Sequence, residues 1–229
     1  MKREELLEKT AGIILSIKKP HPLRVAVDGM ACSGKTVFSD GLAGVLSRSK
    51  RPVIRASIDG FHNPAAVRHK NGRECPRGYY LHSFNHGAAV EKILKPLGPG
   101  GDKKYLKSVY DYRVEKETGE PVCAACDETI LVFDGIFLLI PGMAGFWDYT
   151  IRLEADCDAV LARAVRRDIA RFGDEDSIRE KYLKRFIPGQ KLYEAEVNPA
   201  AAADITINNS DYEEPFIQKE KKPGLKETA

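Results

Sequence analysis

The stretch Leu23-Arg24-Val25-Ala26-Val27-Asp28-Gly29-Met30-Ala31-Cys32-Ser33-Gly34-Lys35-Thr36 decides the fold. Its first half is apolar enough for a buried strand. Its second half satisfies the pattern of a glycine, four residues, a glycine, a lysine and a threonine. Val37-Phe38-Ser39-Asp40-Gly41-Leu42 then opens a helix, so the pattern lies in the strand–turn–helix context that its chemistry needs. Successive backbone N–H groups of Gly29, Met30, Ala31, Cys32, Ser33 and Gly34, with the helix N-terminus, make a concave anion site. Gly29 and Gly34 let the main chain close around phosphate oxygens where a Cβ would clash. Lys35 is expected to set its ammonium against the β- and γ-phosphates, and the Thr36 hydroxyl to ligate Mg2+. Asp28, just before the loop, reads either as catalytic or, more commonly for that place, as a structural acceptor.

Working outward, β-branched runs alternate with helical stretches, the pattern of a parallel sheet covered on both faces. Strands are expected at residues 23–28, 52–58, 129–133, 149–153 and 204–207, with helices at 35–48, 86–95, 157–172 and 175–196. Residues 1–19 read as an amphipathic helix burying Leu6, Leu7, Ile13, Ile14 and Ile17. Residues 61–82 show no sustained period, and a connection that long is usually functional. Residues 98–122 read as a small hairpin insertion, 157–190 as a lid region, and 213–229 as a flexible tail. The expected fold is a three-layer α/β sandwich of the P-loop NTPase class, one domain over residues 1–212.

Composition narrows the class. The chain has 229 residues, 43% hydrophobic and 30% charged, and its formal charge of +3 gives no reason to expect nucleic-acid binding. No apolar run is long enough for a membrane span, and no signal-peptide core follows Met1-Lys2-Arg3, so a cytoplasmic protein is expected. Five cysteines with irregular spacing make no disulfide framework. Cys123 and Cys126 form a lone CxxC, and His62, His69, His82 and His86 with Cys75 match no structural-zinc spacing.

The loop alone does not separate a kinase from another NTPase. Asp59 and Asp134 both stand at the ends of predicted strands, where an open parallel sheet collects its ligands. Asp59 is placed to accept or align the proton of an attacking hydroxyl, and Asp134 to hold Mg2+ directly or through water. Thr36, Asp59 and Asp134 form a sensible oxygen set for that cation. Arg163, Arg167 and Arg171 recur every four residues along one helix face. They read as a lid that brings guanidinium groups to a transferring phosphoryl, or as a solvated face neutralised by Asp168 and Glu175. Tyr79, Tyr80, Tyr110 and Tyr112 read as stacking partners of an acceptor or as ordinary half-buried tyrosines.

These blocks together resemble the uridine kinase and phosphoribulokinase family of P-loop kinases. The likeness rests on residues 29–36, Ile58-Asp59-Gly60-Phe61-His62, Val109-Tyr110-Asp111-Tyr112, Phe133-Asp134-Gly135-Ile136, the basic helix, Tyr182 and Ala203-Asp204-Ile205-Thr206-Ile207. The resemblance implies ATP and Mg2+, catalysis by Asp59, Lys35 and Arg167, and triphosphate contacts from Arg163, Arg167 and Arg171. It implies an acceptor side that includes Asp59, His62, Tyr80, Asn85, Tyr110 and Tyr112. The acceptor it implies is a nucleoside, uridine or cytidine, and a homo-oligomer is compatible with it. The chain departs from the pattern in four places, one of them the lid, where the usual Arg-Gly-Arg reads Arg171-Phe172-Gly173-Asp174. Asp134 stands where glutamate is usual, Val114-Glu115-Lys116 replaces a base-contacting histidine, and Asn85 replaces a ribose-holding acid. A sugar phosphate or a pantothenate-like molecule is the alternative acceptor, since residues 68–77 carry Arg68, His69, Lys70, Arg73 and Arg77. A nucleotide-binding regulatory module without an acceptor is the reading from another class.

Overall fold

A computed structural model describes residues 1–221, apart from the side chains of Arg171 and Phe172. Helix α1 (Arg3–Ser16) leads into β1 (Leu23–Gly29), α2 (Lys35–Leu46) and β2 (Val53–Ser57). Three short helices follow: α3 (Ala65–Arg68), α4 (Pro76–His82) and α5 (His86–Ala89), the last prolonged by a π turn over Val90–Leu94. Four two-residue strands come next, β3 (Lys104–Tyr105), β4 (Tyr110–Asp111), β5 (Lys116–Glu117) and β6 (Cys123–Ala124). Beyond them lie β7 (Ile130–Gly135), α6 (Pro141–Ala144), β8 (Tyr149–Glu154), α7 (Cys157–Phe172) and α8 (Glu175–Lys181). A π turn over Tyr182–Phe186 joins α8 to α9 (Ile187–Val197), and α10 (Pro199–Ala202), β9 (Ile205–Asn208) and β10 (Phe216–Glu220) complete the order.

Six strands form one sheet in the order β10-β9-β8-β1-β7-β2, parallel throughout except at β10. Every residue of β1 and β7 is buried, as a strand covered on both faces requires. The side chains alternate between two cores. Leu23, Val25, Val27, Ile130 and Val132 pack with Leu6, Ile14, Phe38 and Leu42 of α1 and α2. Ala26, Leu131 and Phe133 face the other way, toward Tyr80, Ile93, Trp147 and Tyr193. Among the described residues no helix is long and apolar enough to cross a membrane.

Several expectations need correction. The stretch 61–82 is not structureless: it holds α3 and α4, with Pro76 at the first turn and Cys75 Sγ accepting from Gly78 N at 3.3 Å. These helices are too short to show a period. The single hairpin expected at 98–122 is two ribbons, β3 with β6 and β4 with β5. The tail expected to be flexible from residue 213 instead supplies β10, antiparallel to β9, with Ile217 against the core. Its other side chains face outward, Lys219 and Glu220 carrying charge as on a protected sheet edge, so the sequence looked solvated. The rest of that tail, residues 222–229, lies outside the described residues. On α1, Ile13 and Ile17 are only half-buried, and Thr10 and Ala11 take the inner positions.

Candidate active site

Parallel β1 delivers the chain into the loop at residues 29–36, and the loop delivers it into α2. Cys32 and Gly34 have φ of +60° and +93°, the left-handed turns that curl the loop into a nest of amides. A Cβ on Gly29 would lie 2.5 Å from the Leu153 carbonyl oxygen, so the β1–β8 approach excludes any larger residue there. Lys35 is buried; its ammonium donates to the Met30 carbonyl at 2.7 Å and folds back across the loop. Burial lowers its pKa, while Asp134, Asp28 and Asp59 act to raise it.

The loop is braced from behind. Asn209, fully buried just past β9, donates from Nδ2 to the Ser33 carbonyl at 2.7 Å. Arg163 donates to the carbonyls of Ser33 (3.4 Å), Asn209 (2.7 Å) and Ser210 (2.9 Å). Arg163 therefore borders the cleft, but its terminal nitrogens are engaged by protein carbonyls, which makes it a brace as well as a lining residue. Asp28 faces inward: it accepts from Leu138 N, Arg152 and Tyr193, and fastens the strand end as a structural acceptor.

A cleft of about 1070 Å³ opens above the loop. Lys35, Thr36, Asp59 and Asp134 line it together, with Arg166 and Arg167 from α7. Thr36 Oγ1 donates to Asp134 Oδ2 at 3.0 Å, and Arg55 Nη2 pairs with the other carboxylate oxygen at 2.8 Å. Asp59 sits in a 3-10 turn at the end of β2, its carboxylate exposed to the cleft. Arg167 is held by Asp168 at 2.8 and 3.1 Å and by the Tyr182 hydroxyl at 2.9 Å. That hydroxyl lies 3.3 Å from Cys32 Sγ, so one contact chain runs from α7 to the loop. The side chain of Arg171 lies outside the described residues.

Of the acceptor-side residues, His62 and Tyr112 enter the cleft. Their rings stack at 4.1 Å, and His62 Nδ1 donates to the Asp59 carbonyl at 3.0 Å. Burial makes the His62 imidazole less basic.

Three of the expected acceptor residues are elsewhere. Tyr80 is core, packed on Phe137 and Tyr193, because α4 turns Tyr79 toward the cleft instead. Asn85 caps α5, accepting from Ala88 N at 2.9 Å, and is not among the lining residues. Tyr110 donates its hydroxyl to Glu115 at 3.1 Å and is likewise outside the lining.

The cleft also holds Tyr79, one of the four tyrosines read from the sequence, Arg68, His69 and Arg73 from the basic segment, and Arg113, Lys181 and Arg185, which the sequence did not single out. Arg77 turns away to Glu196. Asn209 had one usable signal, its place at the carboxyl end of a parallel strand. Arg185 had none, since it sits in an irregular turn.

Among the described residues, no three His, Cys, Asp or Glu side chains converge as a metal cluster. Thr36 and Asp134 are nevertheless a hard-oxygen pair beside the phosphate loop, the donor chemistry Mg2+ takes when phosphates and water complete its shell.

A phosphate nest, strand-end carboxylates and the arginines of α7 around one cleft define a P-loop kinase fold. The chain belongs to the Phosphoribulokinase / Uridine kinase family, whose model matches residues 25–210. It is 29% identical over 159 residues to uridine-cytidine kinase B of Dictyostelium discoideum, a match covering 67% of this chain and 61% of that protein. It is 23% identical over 194 residues to the uridine kinase of Oceanobacillus iheyensis, covering 82% and 87%.

Among solved structures, it resembles one described as a possible uridine kinase from Bacillus stearothermophilus. The TM-score is 0.68 at 20% identity, over 89% of this chain and 96% of that one. It also resembles D-glycerate 3-kinase from Cryptococcus neoformans, with a TM-score of 0.60 at 14% identity over 93% and 99%.

Proposed function

We propose that this protein transfers the γ-phosphoryl of ATP to a hydroxyl of a small molecule, with Asp59 as the base or aligning carboxylate. The observation that carries this reading is that Asp59, Lys35, Thr36 and Asp134 line one cleft beside Arg167. The loop amides and Lys35 would bind the triphosphate, and Arg167 would meet charge on the transferring group. Thr36 and Asp134, with Asp59 near them, would hold Mg2+, which supplies charge neutralisation of the phosphates when bound. Five free thiols and an ATP donor fit a cytoplasmic enzyme.

A nucleoside acceptor, uridine or cytidine, is the first reading of the substrate. It is supported by the names of the relatives and by the His62–Tyr112 stack, a flat surface of the kind a base uses. A second reading, an anionic acceptor, is favoured by the basic side chains in the same cleft. One fold serves a nucleoside in some proteins and glycerate in another, so the choice lies with side chains. The test is Asp59→Asn. Turnover should fall by at least about a hundredfold, the lower end expected for losing a general base, with ATP binding retained. Near-normal turnover in that variant rejects the assignment.

A further inference from the structure

The basic side chains of the cleft fall into two groups with different surroundings. Lys35 interacts with Asp134, Asp28 and Asp59 in the phosphate loop's own neighbourhood. His69 interacts instead with Arg185, Arg68 and Arg73, and Arg185 with Tyr79 and Arg68. The second group comes from the end of α3, the turn before α4, and the π turn after α8. Chain segments more than a hundred residues apart therefore bring cations together at one wall of the cleft.

Such an arrangement is costly unless something answers it. Arg185 is 8% exposed, and its guanidinium lies 5.4 Å from the ring centres of both Tyr79 and Phe186. Its Nε–H is buried without a partner, and no carboxylate among the described residues pairs with it. Arginine cannot shed its proton, so the charge stays. Arg68 pairs one nitrogen with Glu115, yet its Nε is also buried and unpartnered, as is His69 Nδ1. Three guanidinium groups against the single carboxylate of Glu115 leave an excess of two positive charges.

Native structures rarely leave buried donors unsatisfied, and the Nε–H groups of Arg185 and Arg68 in this cleft call for an acceptor. Uridine or cytidine is neutral and would leave Arg185 without a counterion.

We infer that the acceptor carries an oxyanion, a phosphate or a carboxylate, and that Arg185 with Arg68 and His69 receives it while its hydroxyl addresses Asp59. The inference rests on the kinase reading above and chooses its second substrate class. Guanidinium matches either group through paired N–H donors, so both share one recognition chemistry. Tyr79 lies under Arg185 and lines the same cleft as Asp59.

The test uses matched acceptors with the full chain: ribose and ribose 5-phosphate, glycerol and glycerate, and uridine. ATP consumption is measured for each, and binding is measured by calorimetry with a non-hydrolysable ATP analogue already bound. An anionic member should exceed its neutral partner at least tenfold in kcat/KM, and the faster arm names the group as phosphate or carboxylate. Arg185→Met keeps the aromatic packing and should raise the KM for the anionic acceptor about 10- to 100-fold, as loss of a charge-assisted pair does, with the KM for ATP unchanged.

If Arg185→Met fails to fold by its melting curve, Arg185→Lys decides. A several-fold rise in KM confined to the anionic acceptor supports the inference, and an unchanged neutral-to-anionic ratio overturns it. Uridine as the best acceptor, indifferent to Arg185→Met, overturns the anion seat and leaves the kinase reading standing. A bound ATP analogue with no acceptor bound or consumed overturns both.

Discussion

Arg152 donates from Nη1 to Asp28 at 2.7 Å, with the two side chains only 3% and 0% exposed. The pair lies beneath the phosphate loop and ties β8 to the end of β1. Asp28 also accepts from Leu138 N at 3.0 Å and Tyr193 Oη at 3.2 Å, so four segments meet at one carboxylate. Removing one partner of a buried pair leaves the other charge uncompensated, although Glu194 still reaches Arg152 at 2.9 Å. Asp28→Ala should therefore cost about 3 kcal/mol, at the low end for such pairs. Denaturant unfolding measures it, and the double variant with Arg152→Met should lose less than the sum of the two singles. Unchanged stability in Asp28→Ala contradicts the role given to this carboxylate.

Asp134 touches the Thr36 hydroxyl on one oxygen and Arg55 on the other, and it is almost wholly buried. As the carboxylate proposed to hold Mg2+, it should set how much of the ion is needed. Asp134→Asn should raise the Mg2+ concentration for half-maximal turnover about 10- to 100-fold. ATP binding without Mg2+ should change little. An unaltered Mg2+ response means that Asp134 does not hold the ion.

The sequence made legible whatever chemistry is local. Residues 23–36 carried strand, loop and helix in one register, and β1, α2 and the nest appear there as read. The i, i+4 spacing of Arg163 and Arg167 put both at the cleft, and the strand-end rule put Asp59 and Asp134 there too. What stayed hidden depends on which way a short element turns. Tyr79 and Tyr80 are indistinguishable in sequence, and only the rotation of α4 sends one to the cleft and the other to the core. Asn85 looked like a diol ligand because a cap and a ligand use the same amide. Arg185 sits in a π turn, whose extra residue shifts every later side chain out of helical period. Strand β10 was concealed by the charged Lys219-Glu220-Lys221-Lys222 run that begins within it.

His86 has its Nε2 buried without a partner, and burial pushes the imidazole down to about 4. The folded value lies below the usual 6.5 of the unfolded chain, so the unfolded state binds the extra proton first. This group's contribution is fully present above pH 6.5 and drains away as pH falls toward 4. At pH 5 the loss is about 2 kcal/mol. His86→Leu should flatten the stability profile between pH 7 and 4 relative to the parent chain, as read by denaturant midpoints. A parallel decline in both proteins removes His86 from the account.

Arg167 is positioned by two partners, the Asp168 carboxylate on the same helix and the Tyr182 hydroxyl, which also touches Cys32 of the loop. In the proposed reaction such a guanidinium would act on charge that develops during transfer, so its loss would appear in kcat and not in ground-state binding. Arg167→Met should lower kcat at least about a hundredfold, below the range for arginine fingers because the loop and Lys35 remain, with the KM for ATP moved less than threefold. Tyr182→Phe removes one positioning contact and leaves the charge, so its kcat should fall about tenfold, between parent and Arg167→Met. If the Tyr182 hydroxyl serves chiefly to position Arg167, combining Tyr182→Phe with Arg167→Met should cost no more than Arg167→Met alone. Additive losses in that cycle place Tyr182 in a separate role and break the chain of contacts from α7 to the loop.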